Sequence, residues 1–268
     1  MARKLAELTY EEVAEILAAG PAVAIVPVGS VEPHGPHLPL DTDTTISVTC
    51  AIRAADRLES ESESESEGDA VRAVIAPSVP YGVTDYATGF AGAIGVPAAA
   101  LTAMLHAIAT SLHTTGFRHV CFVNNHLEPA HDKAVRAAIE GLPAGSASVA
   151  CPLTRRWGRT LSDEFKRGDC HAGRYETSLV IAAGSNVRAS FGELPTLGLS
   201  LSEAIRSGKA TFAEIGMDRA YTGAPRDATR AEGDELYEKL VTMVVTEIRE
   251  GLAVLAAPAA PTPEGGRP

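Results

Sequence analysis

Two short segments carry ligand-type side chains in a pattern suited to hydrolytic chemistry. The first, residues 29–43, reads Gly-Ser-Val-Glu-Pro-His-Gly-Pro-His-Leu-Pro-Leu-Asp-Thr-Asp. Glu32 and His34 are two apart, so an extended backbone points both to the same side. The prolines stiffen the loop and leave its ligands little entropy to lose. The second segment, residues 124–131, reads Asn-Asn-His-Leu-Glu-Pro-Ala-His, and there His126 and Glu128 repeat the spacing. Glu32, His34, Asp43, His126 and Glu128 are the expected metal ligands. Carboxylate together with imidazole suits zinc, manganese or iron. One bridging carboxylate would complete a centre of two divalent ions, able to polarise a carbonyl and to make hydroxide from water at neutral pH. Any one of these residues alone reads as part of an exposed polar loop, and His131 reads as a surface helix residue.

A third cluster, residues 169–178, reads Asp-Cys-His-Ala-Gly-Arg-Tyr-Glu-Thr-Ser. Gly173 suggests a tight turn, and Thr177 or Ser178 can bond the amides of a helix start. His171 could move a proton to a leaving nitrogen. Alone, this segment reads as a capped helix start.

The elements that must position these clusters alternate. Thr9, followed by Glu11 and Glu12, reads as the cap of a helix ending at Gly20-Pro21. Short apolar runs at 22–28, 71–77, 119–123 and 146–151 read as buried parallel strands. Helices are expected over 44–58, 97–115, 129–140, 177–183 and 236–255, and a Gly-rich loop over 81–95. Such alternation implies an α/β fold with a parallel sheet covered on both faces. Ligands then bind beyond the carboxyl ends of the strands, where the first two clusters fall. A single domain is expected over 1–257. The Glu-Ser repeat at 59–68 has nothing apolar to bury and reads as a flexible loop, and the Pro/Gly-rich stretch 258–268 as a disordered tail.

Composition narrows the partners. The formal net charge of the 268 residues is −11, which repels nucleic acid and anionic membranes. The nearest basic stretch, Arg155, Arg156 and Arg159 around Trp157, is too short for a nucleic-acid groove. No apolar run reaches the length of a membrane span, and the N-terminus lacks a signal-peptide core. The cysteines, Cys50, Cys121, Cys151 and Cys170, form no CxxC pair, and scattered thiols fit a cytoplasmic location.

Taken together, the three clusters resemble the signature of the creatininase family of metal-dependent amidohydrolases. Residues 28–39 are similar to its Glu-Pro-His-Gly-Pro-His segment. Asn124-Asn125-His126 stands for its Asn-x-His, and His171-Ala172-Gly173-Arg174-Tyr175-Glu176-Thr177-Ser178 for its His-Ala-Gly-x-x-Glu-Thr-Ser. The resemblance spans roughly residues 5–252. It implies a three-layer αβα sandwich with a mostly parallel sheet, two divalent ions per chain (Zn, Mn or Fe), and a homo-oligomer, several members being hexamers. Glu32 and His126 would hold one metal, His34 and Glu128 the other, with Asp43 bridging. His171 would be the proton donor or substrate-orienting base, with Glu176 supporting the site and Glu128 also counted as catalytic. The implied reaction is attack of a metal-bound hydroxide on the carbonyl of a small, cyclic amide or formamide. Tyr81, Thr84, Asp85, Tyr86, Trp157 and Asp169 are the candidate substrate contacts. Where family members carry a His and a Pro, this chain has Ala87 and Ala91, and Arg167 stands where true creatininases place a Trp. Creatinine is therefore expected to be a poor substrate. Peptide processing by the same chemistry is one alternative reading, and a lapsed enzyme kept for binding or assembly is another.

Overall fold

The computed structural model describes residues 2–62 and 70–257. Its strands are β1 (Arg3–Lys4), β2 (Ala22–Val28), β3 (Arg72–Ile75), β4 (His119–Asn124) and β5 (Ala147–Ala150). The α-helices are α1 (Tyr10–Ala18), α2 (Thr42–Ser62), α3 (Ala98–Thr115), α4 (Pro129–Ala137), α5 (Arg155–Gly158), α6 (Asp163–Arg167), α7 (Arg174–Ala182), α8 (Leu201–Arg206), α9 (Phe212–Ile215) and α10 (Arg230–Ala256). The strands form one sheet in the order β1-β3-β2-β4-β5, every neighbouring pair parallel. The four expected strands are all present, β3 and β5 shorter than their apolar runs. The edge strand β1 pairs Arg3 and Lys4 with Val74 and Ile75, and its polar side chains gave no strand signal.

Alternation along the strands builds two cores. In β2, which is buried throughout, Val23 and Ile25 enter the core formed with α2, α7 and α10. Ala22, Ala24, Val26 and Val28 enter the core formed with α3 and α4, against which α1 also packs. In β4, Cys121 and Val123 face the first core, Val120 and Phe122 the second. Each such Val or Phe contributes about 1.5–3 kcal/mol by leaving water. The result is the expected three-layer α/β sandwich.

Local chemistry sets the helix ends. Thr9 Oγ1 accepts from the Glu12 amide at 3.3 Å, while Glu12 accepts from the Thr9 amide at 2.7 Å, a reciprocal cap on α1. Helix α2 runs to Ser62, whose Oγ accepts from the Val71 amide at 3.0 Å, and Glu59 pairs with Arg3. Residues 59–62 of the Glu-Ser repeat are thus helical and not loop. The remainder of the repeat and the tail 258–268 lie outside the described residues. Helix α7 starts at Arg174, three positions before the expected Thr177, because Gly173 already serves as its N-cap. Helix α10 starts at Arg230, six before the expected Leu236, where Thr229 Oγ1 accepts from Glu232 N at 3.1 Å. The short helices α6, α8 and α9, capped by Ser162, Ser200 and Thr211, were not foreseen. Helices α8 and α9 form a further cluster in which Phe212, Ile215 and Met217 pack with Ala87 and Ala204.

The sheet order places the site. From β2 the chain crosses to β3 on one side and then to β4 on the other, so the carboxyl ends of β2 and β4 lie side by side, with Val28 opposite Asn124. Residues 29–43 and 125–128 leave the sheet into the crevice that this reversal opens.

Candidate metal centre and active-site cavity

Glu32, His34, Asp43, His126 and Glu128 converge in that crevice, and Glu176 joins them from the first turn of α7. All six are 6 % exposed or less. His34 Nδ1 lies 3.1 Å from the Glu32 carbonyl and donates to it, which leaves Nε2 to face Asp43 Oδ1 at 3.1 Å and Glu176 Oε2 at 3.5 Å. His126 is held in the complementary way. Its Nε2 donates to the Val83 carbonyl at 2.6 Å, and its Nδ1 faces Asp43 Oδ2 at 2.9 Å and Glu32 Oε1 at 3.2 Å. Each imidazole is thus tied by one nitrogen to a backbone carbonyl while the other points at carboxylates, the arrangement that fixes a metal-binding tautomer. Asp43 offers one oxygen to each histidine, and Ser30 Oγ donates to its Oδ2 at 2.6 Å.

Ligand atoms within 4.8 Å of one another fall into the groups His34/Asp43/Glu176, Glu32/His126/Glu128 and Glu32/His34/His171. The sequence expectation had paired His34 with Glu128. Glu176 stands there instead, because the turn of α7 lies on the His34 side of Asp43. Glu128 lies on the His126 side, where its carboxylate accepts from the Asp85 amide at 3.2 Å and the Tyr86 amide at 3.4 Å.

The charges fit divalent cations. Glu32, Asp43, Glu128 and Glu176 are buried together, and among the described residues no Lys or Arg lines the cavity that they share. Burial works against a charged His34, yet Asp43, Glu176 and Glu32 push its pKa up to about 10. Burial likewise opposes charge on His126, and Glu32 and Asp43 overcome it and hold the pKa well above the usual range. Burial raises Glu128 to about 7 against the pull of His126, and raises Glu176 to about 8 against that of His34. Buried Glu32 Oε2 has no hydrogen-bond partner among the described residues, and His34 Nε2 faces Asp43 without hydrogen-bond geometry. Buried carboxylates crowded in this way require positive charge among them.

His171 stacks on His34 with ring centroids 4.5 Å apart and on Phe212 at 4.6 Å. Its Nε2 donates to the Pro33 carbonyl at 3.0 Å, and its Nδ1 lies 3.9 Å from Glu32 Oε1. Burial and the neighbouring His34 lower its pKa to about 4, so the ring is neutral with a free lone pair at Nδ1.

The cavity, about 290 Å³ by volume, is acidic at its floor and apolar on its walls, where Leu127, Leu153, Phe165, Leu201, Ile205 and Phe212 face it. Of the candidate substrate contacts, Tyr86 lines this cavity. Tyr81 is 45 % exposed and does not line it. Thr84 and Asp85 line a neighbouring depression, Asp85 reaching the centre only through its amide. Trp157 packs on the first core, its indole N–H donating to Glu247 at 2.7 Å, and Asp169 pairs with Arg167 at 3.1 Å. Sequence reasoning missed the wall residues: apart from Leu127, which lies between His126 and Glu128, they come from segments lacking chemical motifs. It also misplaced His131, which is fully buried on α4. The four cysteines are buried and unpaired, and among the described residues no helix is long and apolar enough to cross a membrane.

The family model for creatininase, described as creatinine amidohydrolase, matches residues 6–248. A mycofactocin precursor peptide peptidase from Mycobacterium ulcerans is 31 % identical over 248 residues, 91 % of each chain. A creatinine amidohydrolase from Pseudomonas putida is 25 % identical, over 91 % of this chain and 95 % of that one. Among solved structures, one titled "Creatininase Mn" superposes with a TM-score of 0.69 at 21 % identity, covering 93 % of this chain and 98 % of the other. A mutant creatininase of Zn-Zn type gives 0.71 at 20 % identity with the same coverage. With the family match running over nearly all of the described residues, the chain belongs to the creatininase family of hydrolases.

Proposed function

We propose that the chain is a two-metal amidohydrolase that cleaves a C–N bond of a small amide. The carrying observation is the pair of histidines facing opposite oxygens of one buried aspartate. His34, Asp43 and Glu176 would hold one divalent ion, and Glu32, His126 and the second oxygen of Asp43 the other. Manganese and zinc, named for two structural neighbours, suit this oxygen and nitrogen donor set. Such ions, when bound, polarise the amide carbonyl and lower the pKa of water. Glu128, beside the Glu32/His126 pair and open to the cavity, takes the proton from the attacking water. Its two backbone bonds aim the carboxylate while leaving lone pairs free. His171 accepts at Nδ1, because Pro33 holds its other nitrogen as N–H. It therefore orients the substrate or relays to the leaving nitrogen the proton that Glu128 takes from water, which returns Glu128 to its carboxylate form.

Peptide cleavage is the second reading. The apolar wall from Leu127 to Phe212 suits a scissile amide flanked by an apolar side chain better than it suits creatinine, and the curated relatives named as peptide peptidases support it.

The test joins composition to turnover. Protein purified without chelator should contain about two divalent ions per chain, the content of a two-metal hydrolase. It is assayed on creatinine, formamides, cyclic amides and short peptides ending in apolar residues, with creatinine expected to turn over poorly. His126→Ala should lose metal and activity together, whereas His171→Ala should keep metal and lose about 10²–10⁴ in turnover. Full activity in metal-free protein would sink the proposal.

A further inference from the structure

His131 lies on α4, five residues beyond His126, with no exposed surface. Its Nδ1 lies 3.2 Å from the Val83 amide, which donates to it. A backbone N–H only donates, so this nitrogen carries no proton, and the neutral ring holds its proton on Nε2. The carbonyl of the same residue, Val83, accepts from His126 Nε2 at 2.6 Å. Val83 therefore joins the two imidazoles, its N–H fastened to one and its C=O to the other, while the rings meet edge to face at 4.6 Å. Gly82 permits the approach, since a Cβ there would sit 2.5 Å from His131 Nδ1 and 2.9 Å from the Gly29 carbonyl. The amides of Asp85 and Tyr86 go to Glu128. The amides of Val83, Asp85 and Tyr86 are thus all bound by the segment that carries His126, while the Tyr86 hydroxyl donates to the Lys209 carbonyl at 2.9 Å.

We propose that His131 is a positioning residue for the metal centre. By anchoring the Val83 amide it holds the Val83 carbonyl against His126 Nε2, keeps the proton there, and leaves His126 Nδ1 as the ligand atom. Outer partners of metal-bound histidines act in this way, and their loss typically costs about 10–100-fold in metal affinity. The inference rests on the reading that His126 holds a metal.

Two substitutions separate hydrogen bonding from packing. Asn places its carbonyl oxygen near the position of the histidine Nδ1, so His131→Asn keeps an acceptor for Val83 but loses volume. His131→Leu keeps most of the bulk and has no acceptor. Zinc affinity of the metal-free proteins is measured by competition with a chromophoric chelator, and folding by circular dichroism. His131→Leu should bind zinc about 10–100-fold more weakly, and His131→Asn close to wild type. A packing role predicts the reverse order, because volume-conserving changes are tolerated best. Wild type and His131→Leu binding equally well, or His131→Asn falling with His131→Leu, overturns the positioning role alone. A wild type that takes up no zinc overturns the metal reading of His126, and this inference with it. Should His131→Leu fail to fold, nitrogen-15 NMR of zinc-loaded wild type decides: His131 should be the Nε2–H tautomer, and a proton on its Nδ1 overturns the proposal.

Discussion

Glu164 should prove to be the carboxylate that holds the third cluster in place. It is 2 % exposed and accepts three backbone amides: Arg174 N at 3.1 Å, Tyr175 N at 2.7 Å and Ala224 N at 2.8 Å. The first two are free amides of the first turn of α7, so a remote side chain caps the helix that carries Glu176. Gly173 and Gly223 leave room for it: a Cβ at 173 would sit 2.9 Å from Glu164 Oε2, and one at 223 would collide with Oε1. Hydrogen bonds to a charged group are worth about 1.5–3 kcal/mol each, which for three gives roughly 4.5–9. Burial offsets part of this, since it raises the Glu164 pKa in spite of the three amides. Glu164→Ala should therefore cost about 3–5 kcal/mol, the scale for removing one partner of a buried charged contact. For a chain of this size that lowers Tm by about 6–20 °C. Glu164→Gln, which keeps one accepting oxygen and turns an NH₂ toward an amide, should cost about 1–3 kcal/mol. Urea titration of metal-free protein gives both values, read from the midpoint at unchanged slope. A loss below about 1 kcal/mol in the Ala variant would show that water replaces the carboxylate freely and would refute the clamp.

Two further outcomes follow from particular contacts. Gly233→Ala should destabilise by about 1–3 kcal/mol or more, although Ala is the better helix former by about 1 kcal/mol, because the new Cβ would strike the Ser178 carbonyl and lie 2.6 Å from Ala182 Cβ; a raised Tm would show that α10 and α7 separate at little cost. His119, with Nδ1 donating to the Gly145 carbonyl and Nε2 accepting from Ser148 Oγ, both at 2.8 Å, is kept neutral by burial, its pKa lowered from 6.5. The unfolded chain takes up that proton first, so the stability this residue contributes is complete above pH 6.5 and is lost as pH falls through the folded value. Unfolding free energies at neutral and mildly acid pH should converge for His119→Gln relative to wild type, and an unchanged acid loss in the variant would refute the assignment.

The sequence by itself was enough to read four of the five strands and the cluster of carboxylates and histidines at one end of the sheet. Strands β2 and β4 are short apolar runs whose alternate residues serve opposite faces, and that pattern is local. Glu32, His34, Asp43, His126 and Glu128 follow those strands directly, so knowing that the strands are parallel was enough to bring them to one end of the sheet. The start of α1 was legible from Thr9 and Glu12, a cap and its partner three apart. The same spacing at Thr229 and Glu232, Ser200 and Glu203, and Thr211 and Glu214 went unread, because no long apolar periodicity follows the short helices and the expected last helix was placed on its apolar stretch alone. Tertiary structure alone decided which of these side chains faces which. Glu176, not Glu128, came to the His34 side of Asp43, because that choice depends on where α7 docks, and α7 is placed by Glu164 and by its contact with Gly233 of α10. The apolar wall gathers Leu127, Leu153, Phe165, Ile205 and Phe212, which share no spacing. Trp157, the sequence's only Trp, turned to Glu247 of α10, away from the cavity. His131 looked like a surface residue because helical periodicity cannot see a loop such as 82–86 folding over it. Spacing reports which side chains share a face; contacts of about 3 Å between distant segments are fixed only when the elements pack.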